Sequence, residues 1–269
     1  MMKEGLLHLN AYQVASLRIV FAGIVLLPWA IRFMPLMPVK KIPVIFLSGV
    51  LGSLLPAFLF CAAEEGIDGA LAGTLNSLTP IFVIITGALF FSMKTPASKV
   101  LGICVALAGS VLLLFSKGHF EKPDNLLFVA YVVIATICYG LNVNMVYRHL
   151  RDIGSLPIAA VALSLNAIPA AIILYYTGYF SLPLGNHDVL YSTGHAAMLG
   201  IGGTAIASII FYILIKRSGA VFSSMVTYGI PIVANLWGLW YGDEVGWKQA
   251  LCLLIILLGV YIANRKKNA

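Results

Sequence analysis

Charge is what this sequence has least of. Of its 269 residues only 10% are Asp, Glu, Lys or Arg, against 61% apolar, whereas a soluble domain carries roughly a quarter charged residues. So few charges cannot cover a water-facing surface, and the expected solvent is lipid. The ten acidic residues are absent from the centres of the apolar runs, so no carboxylate is expected at mid-membrane to carry a proton. Lys and Arg are equally absent from the centres of all runs after the first. A phosphorylated solute would call for such a cation.

Other absences exclude chemistry. The four cysteines, Cys61, Cys104, Cys138 and Cys252, lie in four different apolar runs with no CxxC pair, which fits neither a disulfide framework nor zinc; they read as small packing residues. The five histidines, His8, His119, His149, His187 and His195, fall in connections or near run ends with no carboxylate or cysteine at a useful spacing. There is no P-loop, no HExxH and no glycine-rich nucleotide loop. An enzyme is therefore not expected, nor is a cofactor or a bound metal. The net charge of +7 does not point to nucleic acid, because the basic residues sit in short clusters between apolar runs and not along one face.

What the chain does have is long apolar runs. A helix needs ~20 apolar residues to cross a bilayer, and nine spans can be drawn: 12–31, 42–61, 69–92, 99–116, 126–147, 155–177, 194–215, 219–241 and 248–263. The runs are continuous, whereas a transmembrane β-barrel shows ~10-residue alternating segments. The first run leads into a cluster from Arg32 to Lys41 with no small-residue cleavage site, so a cleavable signal peptide is not expected. Every second connection is basic, holding 12 of the 17 Lys and Arg at Arg32, Lys40, Lys41, Lys94, Lys99, Arg148, Arg151, Lys216, Arg217 and Arg265 to Lys267. The positive-inside rule places these ends in the cytoplasm, with the C-terminus inside. A multi-pass protein of the plasma membrane, a bacterial inner membrane, is expected to follow.

The chain also repeats itself. A shift of 151 residues lays Gly49 on Gly200, Gly52 on Gly203, Phe60 on Phe211, Pro80 on Pro231, Ile81 on Ile232 and Gly87 on Gly238; with one residue fewer, Leu101 meets Leu251 and Gly109 meets Gly259. The unit spans five helices, and an odd number forces the second copy to enter the membrane from the opposite side. The expected fold class is thus an all-α integral membrane inverted repeat of five-helix units. Residues 1–118 are expected to form a first copy of four helices that lacks its opening helix, and 119–269 a complete second copy of five.

These residues resemble the EamA-like transporters of the drug/metabolite transporter superfamily. The likeness rests on AYQVASLRIVFAG with Arg18, NSLTP from Asn76 to Pro80, MVTYGIP from Met225 to Pro231, the ending Gly242-Asp243-Glu244, and Tyr139, Gly140 and Asn142 in an aromatic-Gly-x-Asn pattern. Two departures stand beside it, the missing opening helix and Met93 where the family often has Glu. The resemblance implies a carrier with a central cavity between its two repeats, and a non-transporting or truncated membrane scaffold stays open as the alternative.

Polar side chains in hydrocarbon are costly and mark function. The candidate substrate-binding residues are Asn76, Ser77 and Thr79 beside Pro80, Thr227 and Tyr228 beside Pro231, Tyr139 and Asn142 on one helix face, and Thr204 on a facing wall. Back-bonding and helix packing are the competing roles for the hydroxyls. Pro80 and Pro231 are read as kinks or hinges. Asn144 points away from Asn142. Arg18 is expected to snorkel outward, with holding a neighbouring helix or binding an anion as alternatives. The expected activity is secondary transport of a small neutral or zwitterionic metabolite, such as an amino acid or an analogue, with export the direction considered. A monomer in the lipid bilayer suffices for it.

Overall fold

The computed structural model describes residues 5–67, 69–116, 126–230, 232–233 and 246–264. They fold as helices, and among the described residues there is no strand. Among the described residues seven helical segments are long and apolar enough to cross a membrane: Ala11–Leu36, Val39–Ala63, Leu71–Phe91, Leu126–His149, Ser155–Tyr176, His187–Ser218 and Trp247–Asn264, with a shorter apolar helix at Ala97–Leu113. The segment drawn from the sequence at 219–241 enters as helix and then runs outside the described residues.

Helix α1 (Ala11–Phe33) starts where Asn10 and Gln13 cap each other, each side chain accepting the other's backbone N–H, which satisfies donors that a helix start leaves free. Its inner face of Val14, Ala15, Ile19 and Ala22 is fully buried, while Ile24, Leu27 and Ile31 are exposed. A soluble fold would not present that second face to water, and hydrocarbon receives it. The partner of α1 along most of its length is α8 (Ser155–Tyr176). A Cβ on Gly23 would stand 2.9 Å from the Leu163 carbonyl oxygen, and Ser164 donates to the Gly23 carbonyl at 3.0 Å. Small residues let the two backbones meet.

The second span is a composite. Helix α2 (Ile42–Gly49) opens into a π-helical turn at Val50–Leu54 and continues as α3 (Leu55–Ala63). The third breaks at Ser77–Leu78 between α4 (Gly69–Asn76) and α5 (Thr79–Phe91). Next come α6 (Ala97–Ser116) and α7 (Leu126–His149), which packs on α3 and α5. Helix α9 (His187–Gly200) again opens into a π-helical turn, at Ile201–Ile206, before α10 (Ala207–Ser218). Short α11 (Ala220–Ser224) passes into a 3-10 turn at Met225–Tyr228, and α12 (Trp247–Asn264) closes against α6.

The span drawn at 194–215 in fact begins seven residues earlier, at His187. Its first turns look polar, yet Val189, Ser192 and Ala196 are buried and α9 packs on α1. Asn186 caps the start by accepting the Asp188 N–H at 3.0 Å. Protein, not lipid, receives that face, so hydropathy alone missed it.

Several contacts recur at a fixed offset. The two π-helical turns begin at Val50 and Ile201, 151 residues apart. Ahead of each lies a glycine on a facing carbonyl group, Gly49 at that of Ala162 and Gly200 at that of Arg18. Gly109 meets Ile256 on α12, while Gly259 meets Ala106 on α6, and both residues of each contact have their counterparts 150 positions away.

Candidate functional site

A π-helical turn fits one extra residue into the helix and is frequent at functional sites. The first one sets Gly52 against Asn142 of α7, where a Cβ would stand 2.7 Å from the amide carbon. Asn142 is 2% exposed, and its Oδ1 has no hydrogen-bond partner. Leaving a buried polar atom unpaired costs about 1–3 kcal/mol and calls for an explanation; Ser16, Asn144 and Asn166 carry such an atom too, so what sets Asn142 apart is its place at the π-helical turn. One turn before Gly52, the Ser48 hydroxyl lies 3.4 Å from that of Tyr212 on α10, which also interacts with Asn142. Ser48, Asn142 and Tyr212 thus bring α2, α7 and α10 to one buried polar cluster.

The second π-helical turn presents Thr204, 3% exposed, whose hydroxyl accepts a hydrogen bond from Arg18 Nε at 2.6 Å. Because Gly200 lets α9 settle on the Arg18 backbone, Thr204 comes within reach one turn later. Arg18 therefore reaches sideways to a neighbouring span and does not snorkel outward. A guanidinium inside a bundle costs less when a neighbour accepts its N–H groups. Its charge also acts on Cys61 and Tyr139. The Tyr139 ring lies against Phe60, with centroids 6.1 Å apart.

The turns at Pro80 and Tyr228 are more self-contained. The Thr79 hydroxyl donates to the Asn76 carbonyl at 2.8 Å and lies 3.1 Å from Asn76 Oδ1. Ser77 donates to the Gly73 carbonyl at 3.4 Å, and Thr227 to that of Ser224 at 3.0 Å. Pro80 sits in the first turn of α5, after the break, and does not kink a continuous helix; a residue without an N–H suits a first turn, where that donor has no partner. Tyr228 is 1% exposed and donates to the Ile103 carbonyl at 3.0 Å, fastening its turn to α6. Its hydroxyl is engaged in packing. Asn76 is half-buried at the break. Pro231 lies outside the described residues.

The expected divergence of Asn142 and Asn144 is seen. Asn144 turns to α5, donating to the Val83 carbonyl at 2.8 Å and the Thr86 hydroxyl at 2.9 Å. The sequence reading passed over Ser48, Tyr212 and the Arg18–Thr204 bond. A signal was present for Tyr212, a phenol inside the apolar stretch IIFYILI, one position after the Phe60–Phe211 match.

At the basic end of the bundle, the Lys41 ammonium lies 3.2 Å from the Asp152 carboxylate and also donates to the His149 carbonyl. The Lys41 hydrogen bond holds the Asp152 carboxyl below its ordinary value. A lowered folded-state value means the stabilisation is complete above the unfolded value, about pH 4, and fades as pH falls through the folded one. The pair is exposed and its contribution small. A shallow acid-side loss of thermal stability is expected in detergent, and Lys41→Gln should remove that part of the slope; an unchanged slope would contradict the pairing.

The sequence profile of the EamA-like transporter family matches residues 1–115 and 126–265. An uncharacterized transporter of Archaeoglobus fulgidus is 26% identical over 98% of this chain and 92% of its own length. The uncharacterized transporter YdfC of Bacillus subtilis is 24% identical over 99% of this chain and 86% of its own. An uncharacterized solute carrier family 35 member of Schizosaccharomyces pombe, C320.08, is 24% identical over 71% of this chain and 38% of its own. A solved crystal structure superposes with a TM-score of 0.73 at 18% identity, covering 98% of this chain and 91% of that one, a likeness of fold alone.

Proposed function

We propose, from the premise that this chain belongs to the EamA-like transporter family, that it is a carrier for a small neutral or zwitterionic metabolite, an amino acid or an analogue, moved by alternating access. Residues 1–118 and 119–269 act as two inverted repeats that rock about a site near the bilayer midplane, as in other carriers of this architecture. The observation that carries this reading is the pair of π-helical turns 151 residues apart, each beside a polar contact to another span. One holds Gly52 on Asn142 and the other holds Thr204 on Arg18.

In this reading Asn142, Tyr139 and Thr204, with Arg18 and Asn76, line the path of the solute. Ser77, Thr79, Pro80, Thr227 and Tyr228 shape the breaks behind it. The basic ends lie in the cytoplasm and the protein sits in the plasma membrane, the direction of transport being outward. The family match supports transport.

Counterflow in proteoliposomes with a panel of amino acids tests it. Asn142→Ala should lower counterflow at least about tenfold, the effect of one lost hydrogen bond of about 1.4 kcal/mol in the rate-limiting state. Tyr228→Phe should leave KM unchanged and cost only about 1 kcal/mol of stability. If Tyr228→Phe shifts KM while Asn142→Ala is silent, the solute path lies at the proline breaks and not at the π-helical turns. If no solute gives counterflow, the carrier reading falls. Reporter fusions after Glu65 and after Lys216 should fall on opposite sides of the membrane; the same side would break the inverted repeat.

A further inference from the structure

The connection from α7 to α8 and the end of α10 enclose a cleft of about 360 Å³ that the transport reading does not use. Three cations line it, Arg151 from the connection and Lys216 and Arg217 from α10. One carboxylate, Asp152, lines it too, but its charge is met by Lys41 at 3.2 Å. Lys216 donates to the Ile153 carbonyl, which draws α10 onto the connection and fixes one wall. Arg151 and Arg217 are exposed, with the Arg151 guanidinium 5.4 Å from the Tyr147 ring centroid. Among the described residues neither arginine is ion-paired with a carboxylate, and the surplus of cations gives the cleft a positive potential.

The surroundings narrow the ligand. The cleft lies where α10 ends at Ser218 and α8 begins at Ser155, the depth of the headgroups for spans of this length. Ile213, 39% exposed, stands beside the cations as an apolar edge. Helix α8 begins in the same wall with no side-chain cap and no acidic residue in its first turn, adding partial charge of the same sign. Two arginines at a bilayer surface suit a phosphate, which takes their paired N–H groups.

We propose that this cleft, between the α7–α8 connection and the end of α10, binds a phosphate-bearing anion through Arg151 and Arg217, with Lys216 and Lys41 holding its walls. The chemistry is common to the headgroup of an anionic phospholipid and to a free phosphate. The position beside Ile213 is where a headgroup with an acyl chain would rest. The site is independent of the solute path at Asn142.

Native mass spectrometry of the purified full chain, in detergent micelles doped with phosphatidylglycerol or phosphatidylcholine, tests it. The wild type should retain phosphatidylglycerol in preference. A cation at the membrane surface is worth about a factor of five for an anionic headgroup, so R151Q/R217Q should weaken retention about 25-fold. R151K/R217K keeps the charge and loses the fork, and should fall between the two. K40Q/K94Q, two exposed lysines outside the cleft, should stay within about twofold of the wild type, because screening confines the effect to near neighbours. Inorganic phosphate at about 10 mM, added at constant ionic strength so that screening is unchanged, is the second arm. Displacement of the lipid by phosphate assigns the site to soluble phosphate, and no displacement assigns it to the headgroup; both uphold the anion site. Retention by R151Q/R217Q equal to the wild type overturns it, as does an equal loss in K40Q/K94Q. Thermal midpoints of each variant separate loss of binding from loss of fold.

Discussion

Replacing Gly259 by valine should destabilise the protein by about 3 kcal/mol, at the upper end of overpacking costs. It is expected to lower the thermal midpoint in detergent by about 6–12 °C for a chain of this size. A Cβ at Gly259 would stand 2.6 Å from the Gly102 carbonyl oxygen and 2.7 Å from Ala106 Cα. The obstacle is backbone, so no side chain can swing aside. Helices α6 and α12 would have to separate along a seam where glycines from both sides make the contact, and lipid offers no hydrophobic force to draw them back. Gly194→Ala is the control: nothing lies within 4 Å of its added methyl, and in a helix that change is worth about 0.5–1 kcal/mol of stability. Equal midpoints for Gly259→Val and wild type would mean that the two helices do not meet there.

The seam shows which parts of the fold were legible in the sequence. Gly109 and Gly259 stood out because a glycine at one register in two apolar runs has few reasons to persist apart from a close approach, and the structure gives each a partner on the other helix. The apolar runs were equally plain, since hydrocarbon selects for length and continuity. The start of α9 was not, because Ser192 and its neighbours are buried by α1, and protein tolerates polar groups that lipid does not. The π-helical turns leave no compositional mark. One extra residue in a turn changes no hydropathy, and only the paired glycines at 49 and 52 and at 200 and 203 hinted that something recurs there.

Of the candidate site, the residue types were legible and their partners were not. Arg18 and Thr204 stand 186 positions apart, and no periodicity joins them; the choice between snorkelling and holding a neighbour depended on where Gly200 would place α9. Likewise Tyr228 and Asn142 look alike in sequence as polar residues in apolar runs. They differ in what receives them. Tyr228 finds the Ile103 carbonyl, while Asn142 keeps an unpaired Oδ1.

That contrast leads to the second large effect. Gly52→Ala should cost about 2–3 kcal/mol and lower transport more than about tenfold, because its methyl would press into the buried Asn142 amide with the usual cost of overpacking. Asn142→Ala removes an atom already short of a partner but also the amide that meets Tyr212, and should cost about 1 kcal/mol of stability, the size of one net hydrogen bond. The two together should be nearly as stable as Asn142→Ala alone, because the clash needs both side chains; contacting residues couple by about 0.5–3 kcal/mol. Transport should stay low in the pair, for the amide that meets the solute is gone. Additive destabilisation would show that Asn142 does not rest on Gly52. If stability and counterflow were both restored in the double variant, Asn142 would be a spacer between α3 and α7, and the solute would have to be held by Arg18, Asn76, Thr204 and Tyr139 without it.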